Sequence, residues 1–314
     1  MPQARTRALG ILSAIASVYF FWGGTFLAIR YAVADIPPLM MMALRCTGGA
    51  AVLSLWLLWR RPHRGPLSAS ARAWGSAAIV GALLFVGCHG LLAWAQQRVT
   101  SGQAALVMTS IPLFVVMLHA AHSRRPPALR VVIGLATGVA GVATLVGTGV
   151  FTARPIDLAA LIIASFAWAL GSLVGRSGPR ASSSILTTVM QLAAGAVWLY
   201  MASAASGELA GWSPLDVSAR AMLSLAFLIV CGTALAFAAY TWLLTVTTPA
   251  VATSYAFVNP VVALALAWIV GDEAFSGRTV IAAALVLLAV ALTRERQVAP
   301  IGEVRVAVER PGHA

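Results

Sequence analysis

The 314 residues are 60% hydrophobic and only 10% charged, with a mean hydropathy of +0.90, whereas a soluble domain carries roughly 25% charged residues; a water-soluble globule is excluded. The formal charge is +12 and all 21 cations are arginine, standing singly or in short runs between apolar blocks, a topology signal rather than a nucleic-acid footprint, so no nucleic-acid partner is expected. Cys46, Cys88 and Cys231 lie in apolar stretches without CxxC or His-Cys spacing, which implies no disulfide framework, no metal and no cofactor.

A helix crossing a bilayer needs about 20 apolar residues. Cutting at the Arg, Pro, Gly and Asp clusters gives ten such segments in chain order: 11–33, 38–59, 73–95, 101–122, 129–149, 157–176, 184–205, 218–243, 248–270 and 277–293. The first is too long for a signal-peptide core and lacks a cleavage site, so it is expected to remain as a helix. It holds Trp22 near mid-depth, and the second holds Arg45 about eight residues in. Gly81, Gly87 and Gly90 thin the third, which also carries His89 and ends near Trp94; the fourth contains Pro112 and His119. Gly134 and Gly138 give the fifth a close-packing pattern. Trp168 stands in the sixth, Gln191 in the seventh, Tyr240 and Trp242 in the eighth, and Thr253, Ser254, Tyr255, Asn259 and Pro260 in the ninth. Residues 294–314 have no helical period and read as a solvated cytoplasmic tail.

The arginines alternate between loops. One side collects Arg5, Arg7, Arg60, Arg61, Arg64, Arg72, Arg124, Arg125, Arg130, Arg180 and those of the tail; the other side has Asp35, Arg98, Arg154, Asp157, Glu208, Asp216, Arg220, Asp272, Glu273 and Arg278. Positive charge accumulates on the cytoplasmic side, so both termini are expected there, in a multi-pass protein of the inner membrane.

Trp22 and Arg30 stand eight residues apart, as do Trp168 and Arg176, 146 residues further on; Trp94 and Pro112 stand 18 apart, as do Trp242 and Pro260, 148 further on. The chain therefore reads as two copies, residues 1–150 and 151–293, followed by the tail 294–314. Five segments per copy is an odd number, so the second copy is inverted relative to the first. The expected fold is all-α, ten transmembrane helices in a 5+5 inverted repeat, an architecture characteristic of secondary transporters that alternate access to a midplane site.

The stretches FWGGTFLAIRYAVADIPPLMMMALR, SGQAALVMTSIPLF, SPLDV and TTPAVATSYAFVNPVVALALAWIVGDEAFSGRTVIAAALVLLAVAL resemble the EamA family of the drug/metabolite transporter superfamily, in its YedA-like exporter branch, over roughly residues 10–293. The resemblance implies ten helices, a central cavity for small metabolites, and export. It also places an acidic residue at Glu273, whose first-half counterpart is Arg125.

Arg45 is the leading binding candidate, since a charge at mid-membrane is costly unless it faces a cavity or partner; Gln191 is its repeat counterpart. Trp22 and Trp168 lie too deep for the headgroup belt and suit a cavity wall, while Trp94 and Trp242 lie near helix ends and suit the belt. Tyr240, Tyr255 and Asn259 must find hydrogen bonds inside the protein. Pro112 and Pro260 mark paired helix breaks or hinges. His89 and His119 are candidate proton relays, because no carboxylate lies deep in any segment. Packing alone explains each of these residues as well. An Arg beside aromatic rings favours an amphipathic anion or zwitterion, amino-acid-like or another metabolite or drug. An enzyme is not expected, because no GxSxG, HExxH or intramembrane acidic pair occurs; a non-transporting scaffold or sensor is the alternative.

Overall fold

The computed structural model describes residues 2–59, 68–124, 129–146, 154–247, 255–271, 273 and 276–293, and among these no strand occurs. The elements are α1 (Pro2–Ala32), α2 (Pro38–Trp59), α3 (Ala71–Gly81), a π-helical stretch (Ala82–Gly90), α4 (Leu91–Ala95), α5 (Ser101–Met108), α6 (Ile111–Ser123), α7 (Leu129–Val146), α8 (Pro155–Ser177), α9 (Ser184–Ser206), a 3-10 turn (Pro214–Asp216), α10 (Ala219–Ile229), a second π-helical stretch (Val230–Leu235), α11 (Ala236–Val246), α12 (Tyr255–Ile269) and α13 (Gly277–Thr293).

Seven helical runs are long and apolar enough to cross a membrane: Arg7–Ala32, Pro38–Trp59, Ala71–Ala95, Ser101–Ala121, Pro155–Ser177, Ser184–Ser206 and Ala219–Tyr240. Shorter apolar helices at Leu129–Gly141, Val258–Ile269 and Gly277–Ala289 fall on the fifth, ninth and tenth expected segments. The exterior carries Leu55, Ile163, Val139, Met222 and Trp268 largely exposed, an apolar surface that requires lipid around it. The chain is an all-helical membrane protein.

Helix starts are written in the sequence. Ser70, Thr100, Ser183 and Ser218 each accept a hydrogen bond from a backbone N–H in the first turn of α3, α5, α9 and α10, satisfying donors the helix leaves open. The fourth expected segment is broken at Thr109–Ser110, and α6 restarts with Pro112 at its second residue, where a missing N–H costs nothing. Pro260, in contrast, sits inside the continuous α12, so the break expected there is absent and only one ladder bond is lost.

Two π stretches interrupt runs expected to be plain α-helix. They begin at Ala82 and Val230, 148 residues apart, and each follows an 11-residue helix beginning at Ala71 or Ala219. The repeat spacing read from Trp94 and Trp242 thus recurs in the backbone itself. Packing exchanges elements between the halves: α1 lies against α10, α11 and α12, while α8 lies against α3, the first π stretch, α4, α5 and α6. Gly23 lets α1 approach Val262 of α12, and Gly171 lets α8 approach Leu83 and Leu84. Helix α7 packs mainly on α13, with an added Cβ at Gly141 standing 2.8 Å from Val286 Cγ2 and one at Gly138 standing 3.3 Å from Ala289 Cβ and 2.7 Å from Leu113 Cδ1 of α6. Gly81 serves the same purpose against α9, with the Gln191 carbonyl 2.8 Å from a built Cβ.

The loops at one end of the molecule are bound together by carboxylates. Glu208 accepts from Met40 N at 2.7 Å and from Ser203 Oγ at 2.7 Å, and Glu273 accepts from Ser101 N, Ser101 Oγ and Gly102 N. Asp157 pairs with Arg98 at 2.8 Å and with Arg154. Asp35 accepts from Ser218 N at 3.0 Å, and hydrogen bonding by Ser218 holds its carboxyl below the ordinary range. Each is placed at a helix start, where negative charge complements the helix dipole. This is the acidic end. At the opposite end the loops before α3 and α9 join through Ser182 N donating to the Ser68 carbonyl and Ser68 N donating to Ser182 Oγ.

Candidate functional site

Arg45 projects from α2 into the interior and is 8% exposed. Its Nε donates to Thr233 Oγ1 at 3.1 Å, and that hydroxyl donates onward to the Leu228 carbonyl at 2.8 Å. Thr233 lies in the second π stretch, close to Gly49 of α2, where a Cβ would stand 2.6 Å from Thr233 Cγ2. The guanidinium is always charged, yet its Nη1 is buried without a hydrogen-bond partner among the described residues. A buried, unsatisfied cationic donor is expensive, and an anion arriving beside it would relieve that cost.

Trp22 of α1 donates its Nε1–H to the Gly232 carbonyl at 3.1 Å. Its ring meets Tyr255 at 4.6 Å and Tyr240 at 5.3 Å between centroids, and the two tyrosines stand 5.6 Å apart. Asn259 Oδ1 is a further buried oxygen without a partner among the described residues, and the Asn259 carbonyl abuts Gly23. Arg45, Trp22, Tyr240, Tyr255 and Asn259 thus gather around residues 22–25 of α1, with one open donor, one open acceptor and an aromatic wall.

Trp168 of α8 centres a second group, and Gln191 of α9 lies against the same helix two turns further on. Trp168 meets His89 edge-on at 5.3 Å, and His89 stacks on Phe85 at 5.7 Å. The Gln191 amide lies beside Gly175. The two groups adjoin through Arg45, whose charge is within electrostatic reach of Cys88 and His89. His89 Nδ1 lies 2.8 Å from the Leu84 carbonyl, which can only accept, so Nδ1 carries a proton. Leu84 and Gly232, 148 residues apart, carry carbonyls in the two π stretches, and each receives a side-chain bond, from His89 and from Trp22. π insertions are often found at functional sites.

His119 is exposed on α6 and joins neither group. Trp94 is half-buried under Arg98, 4.3 Å from its ring, with Arg154 at 5.9 Å; Trp242 is 40% exposed and rests on Gly10. Thr253, Ser254, Arg125 and the tail lie outside the described residues. Sequence reasoning missed Ser110, whose buried Oγ has no partner among the described residues, at the break two residues before Pro112. It also missed Thr233, although a lone Thr beside a Gly in an apolar run is a readable signal. A cavity of about 380 Å³ at the acidic end is lined by Arg30, Tyr31, Gln97, Thr100, Gly271 and Glu273 among others, apart from both groups.

Residues 8–147 and again 156–294 match the EamA-like transporter family. The chain is 34% identical over 285 residues to the Escherichia coli (strain K12) protein described as "uncharacterized inner membrane transporter YedA", covering 90% of each chain. It is 25% identical to the Bacillus subtilis (strain 168) protein described as "uncharacterized transporter YoaV", covering 88% of this chain and 94% of that one. A solved crystal structure 21% identical in sequence superposes with a TM-score of 0.61 over 92% of this chain and 97% of the other, which supports the fold. Two matches that together span nearly the whole chain, and a relative aligned over nine-tenths of it, lead to one conclusion: the chain belongs to the EamA-like transporter family.

Proposed function

We propose that this protein is a secondary transporter of the inner membrane that moves small amphipathic anions or zwitterions, amino-acid-like or drug-like, by alternating access between two inverted halves of five helices, and that it works as an exporter rather than as an enzyme. The observation that carries the reading is Arg45: a buried guanidinium with an open Nη1, held by the second π stretch, whose Gly232 carbonyl also accepts from Trp22, the ring that meets Tyr240 and Tyr255. A substrate carboxylate on Nη1 would satisfy the donor, a substrate N–H on Asn259 Oδ1 would satisfy the acceptor, and an apolar or aromatic part would lie on the rings. The inner-membrane location follows the name of the Escherichia coli relative, and export follows the family resemblance. The arginine distribution supports cytoplasmic termini, which turns the acidic end outward. All described carboxylates of the acidic-end clasps hold helix starts, which leaves the interior without a carboxylate relay among the described residues and favours exchange or facilitated movement over carboxylate-driven proton antiport.

The test is counterflow in liposomes with labelled amino acids, organic acids and aromatic cations, for the wild type beside Arg45→Ala and Trp22→Ala, with and without a pH gradient. Saturable flux of an anionic or zwitterionic compound, lowered at least roughly tenfold by Arg45→Ala as expected for a lost charge-assisted bond, supports the reading. Undiminished flux in a folded Arg45→Ala protein overturns the role of Arg45, and preference for cations overturns the substrate class.

A further inference from the structure

We propose that Arg30 and Arg176 are paired latches: Arg30 keeps the acidic end shut in the conformation seen here, and Arg176 keeps the opposite end shut in the alternate one. The inference rests on the alternating-access reading above and adds to it the residues that hold each closed state.

Arg30 and Arg176 occupy the same repeat position, 146 residues apart, each in the last turn of its helix, α1 or α8. Their surroundings differ. The guanidinium of Arg30 crosses from α1 to the end of α4 and donates to the carbonyl of Gln96, the residue that ends that helix. Final-turn carbonyls lack a partner in their own helix, and a cation there also complements the dipole. Gln96 is fully buried and returns a bond from its Nε2 to the Phe26 carbonyl at 2.9 Å. The two bonds stitch α1 to α4 in both directions at the acidic end.

Arg176 is exposed at the other end and makes no hydrogen bond through its side chain to any described residue, although its charge reaches Tyr240 and Tyr255. The repeat counterpart of Gln96 is Leu244, in the last turn of α11, where final-turn carbonyls again face the end of a helix. Exchanging the conformations of the two halves maps the bond from Arg30 to the Gln96 carbonyl onto one from Arg176 to the Leu244 carbonyl. The exchange is unequal, because leucine has no amide to return to Ser172, the counterpart of Phe26. One end closes with two stitches and the other with one, so the conformation open at the Arg176 end is the resting state.

Electron-paramagnetic-resonance distances in reconstituted full-length protein test this, with the three cysteines replaced by alanine and spin labels at Ala34 and Gln97 for the acidic end or at Ser177 and Thr247 for the other. In the parent protein the first pair is expected to be short and the second long. Arg30→Ala is expected to raise the population with a long first distance and a short second distance roughly tenfold, the equivalent of one charge-assisted bond. Arg30→Lys, which keeps a cationic donor, restores most of the parent distribution; Gln96→Leu, which makes the two ends alike, gives a smaller shift in the same direction; Arg176→Ala lowers the alternate population further. Unchanged distributions in Arg30→Ala, in protein that still catalyses counterflow, overturn the latch while alternating access stands. A first distance that lengthens with no shortening of the second overturns the pairing and alternating access together.

Discussion

Asp157 shows what a charge costs and gains at a helix start near the membrane surface. Its side chain is wholly buried, while that of Arg98, its partner at 2.8 Å, is 32% exposed and that of Arg154 57% exposed; its Oδ2 also accepts from the backbone N–H of Arg154. Removing one member of such a pair strands the other, but Arg98 can turn toward water, so the loss falls below that of a fully buried pair. Asp157→Asn is expected to destabilise the protein by about 2 kcal/mol, read as a lowered midpoint of thermal unfolding in detergent, and an unchanged midpoint would mean that water already solvates the pair. The arginine and carboxylate positions were legible from the sequence as a topology signal, but their partners were not. Glu208 and Met40, or Glu273 and Ser101, lie about 170 residues apart in the chain, and no local spacing records such a pairing. Arg45 was legible because an intramembrane cation is conspicuous, whereas Thr233, which holds it, was hidden in an apolar run.

At the scale of the element, the two π stretches and the glycine contacts decide how closely the helices approach. Apolar length predicted the segments, and the repeat spacing of Trp94 and Trp242 is carried into the backbone by π stretches that begin 148 residues apart. No composition signal separates a π stretch from an α-helix here, and the carbonyls inside the two stretches are met differently, Leu84 by His89 of the same stretch and Gly232 by Trp22 of α1. Pro260 lies inside the continuous α12, where it removes one ladder bond without ending the helix. Glycine was more reliable. Helix α7 touches α13 at Gly141, where a Cβ would stand 2.8 Å from Val286 Cγ2 and 3.2 Å from the Ala282 carbonyl. Gly141→Ala is expected to push the helices apart and cost about 1–3 kcal/mol. Gly75 on α3 meets nothing within 4 Å, so Gly75→Ala is expected to be neutral or stabilising by up to about 1 kcal/mol. Paired thermal unfolding curves read both, and equal effects at the two positions would remove close packing as the cause.

For the whole molecule, the exchange of elements between halves matters more than the number of spans. Helix α1 belongs to the first half of the sequence but packs on α10, α11 and α12, and α8 belongs to the second half but packs on α3 through α6. Each half therefore leaves one helix whose partners lie in the other half, and α2 likewise packs on α9. A first half made alone would expose in α1 the face that carries Gly23 and Trp22, with the Trp22 Nε1–H lacking the Gly232 carbonyl, a donor that lipid cannot satisfy. A second half made alone would leave the face of α8 around Gly171 without Leu83 and Leu84 of the first half. Expressed separately, residues 1–150 and 151–314 are each expected to be degraded, whereas co-expression of the two pieces is expected to restore a complex that co-purifies and recovers a measurable part of the counterflow. Recovery should disappear when Gly23→Leu is placed in the first piece, because a Cβ at that position already meets Val262 Cγ1 at 2.6 Å. Stable, monodisperse accumulation of either piece by itself would show that the halves fold as independent units and that their interlocking follows folding.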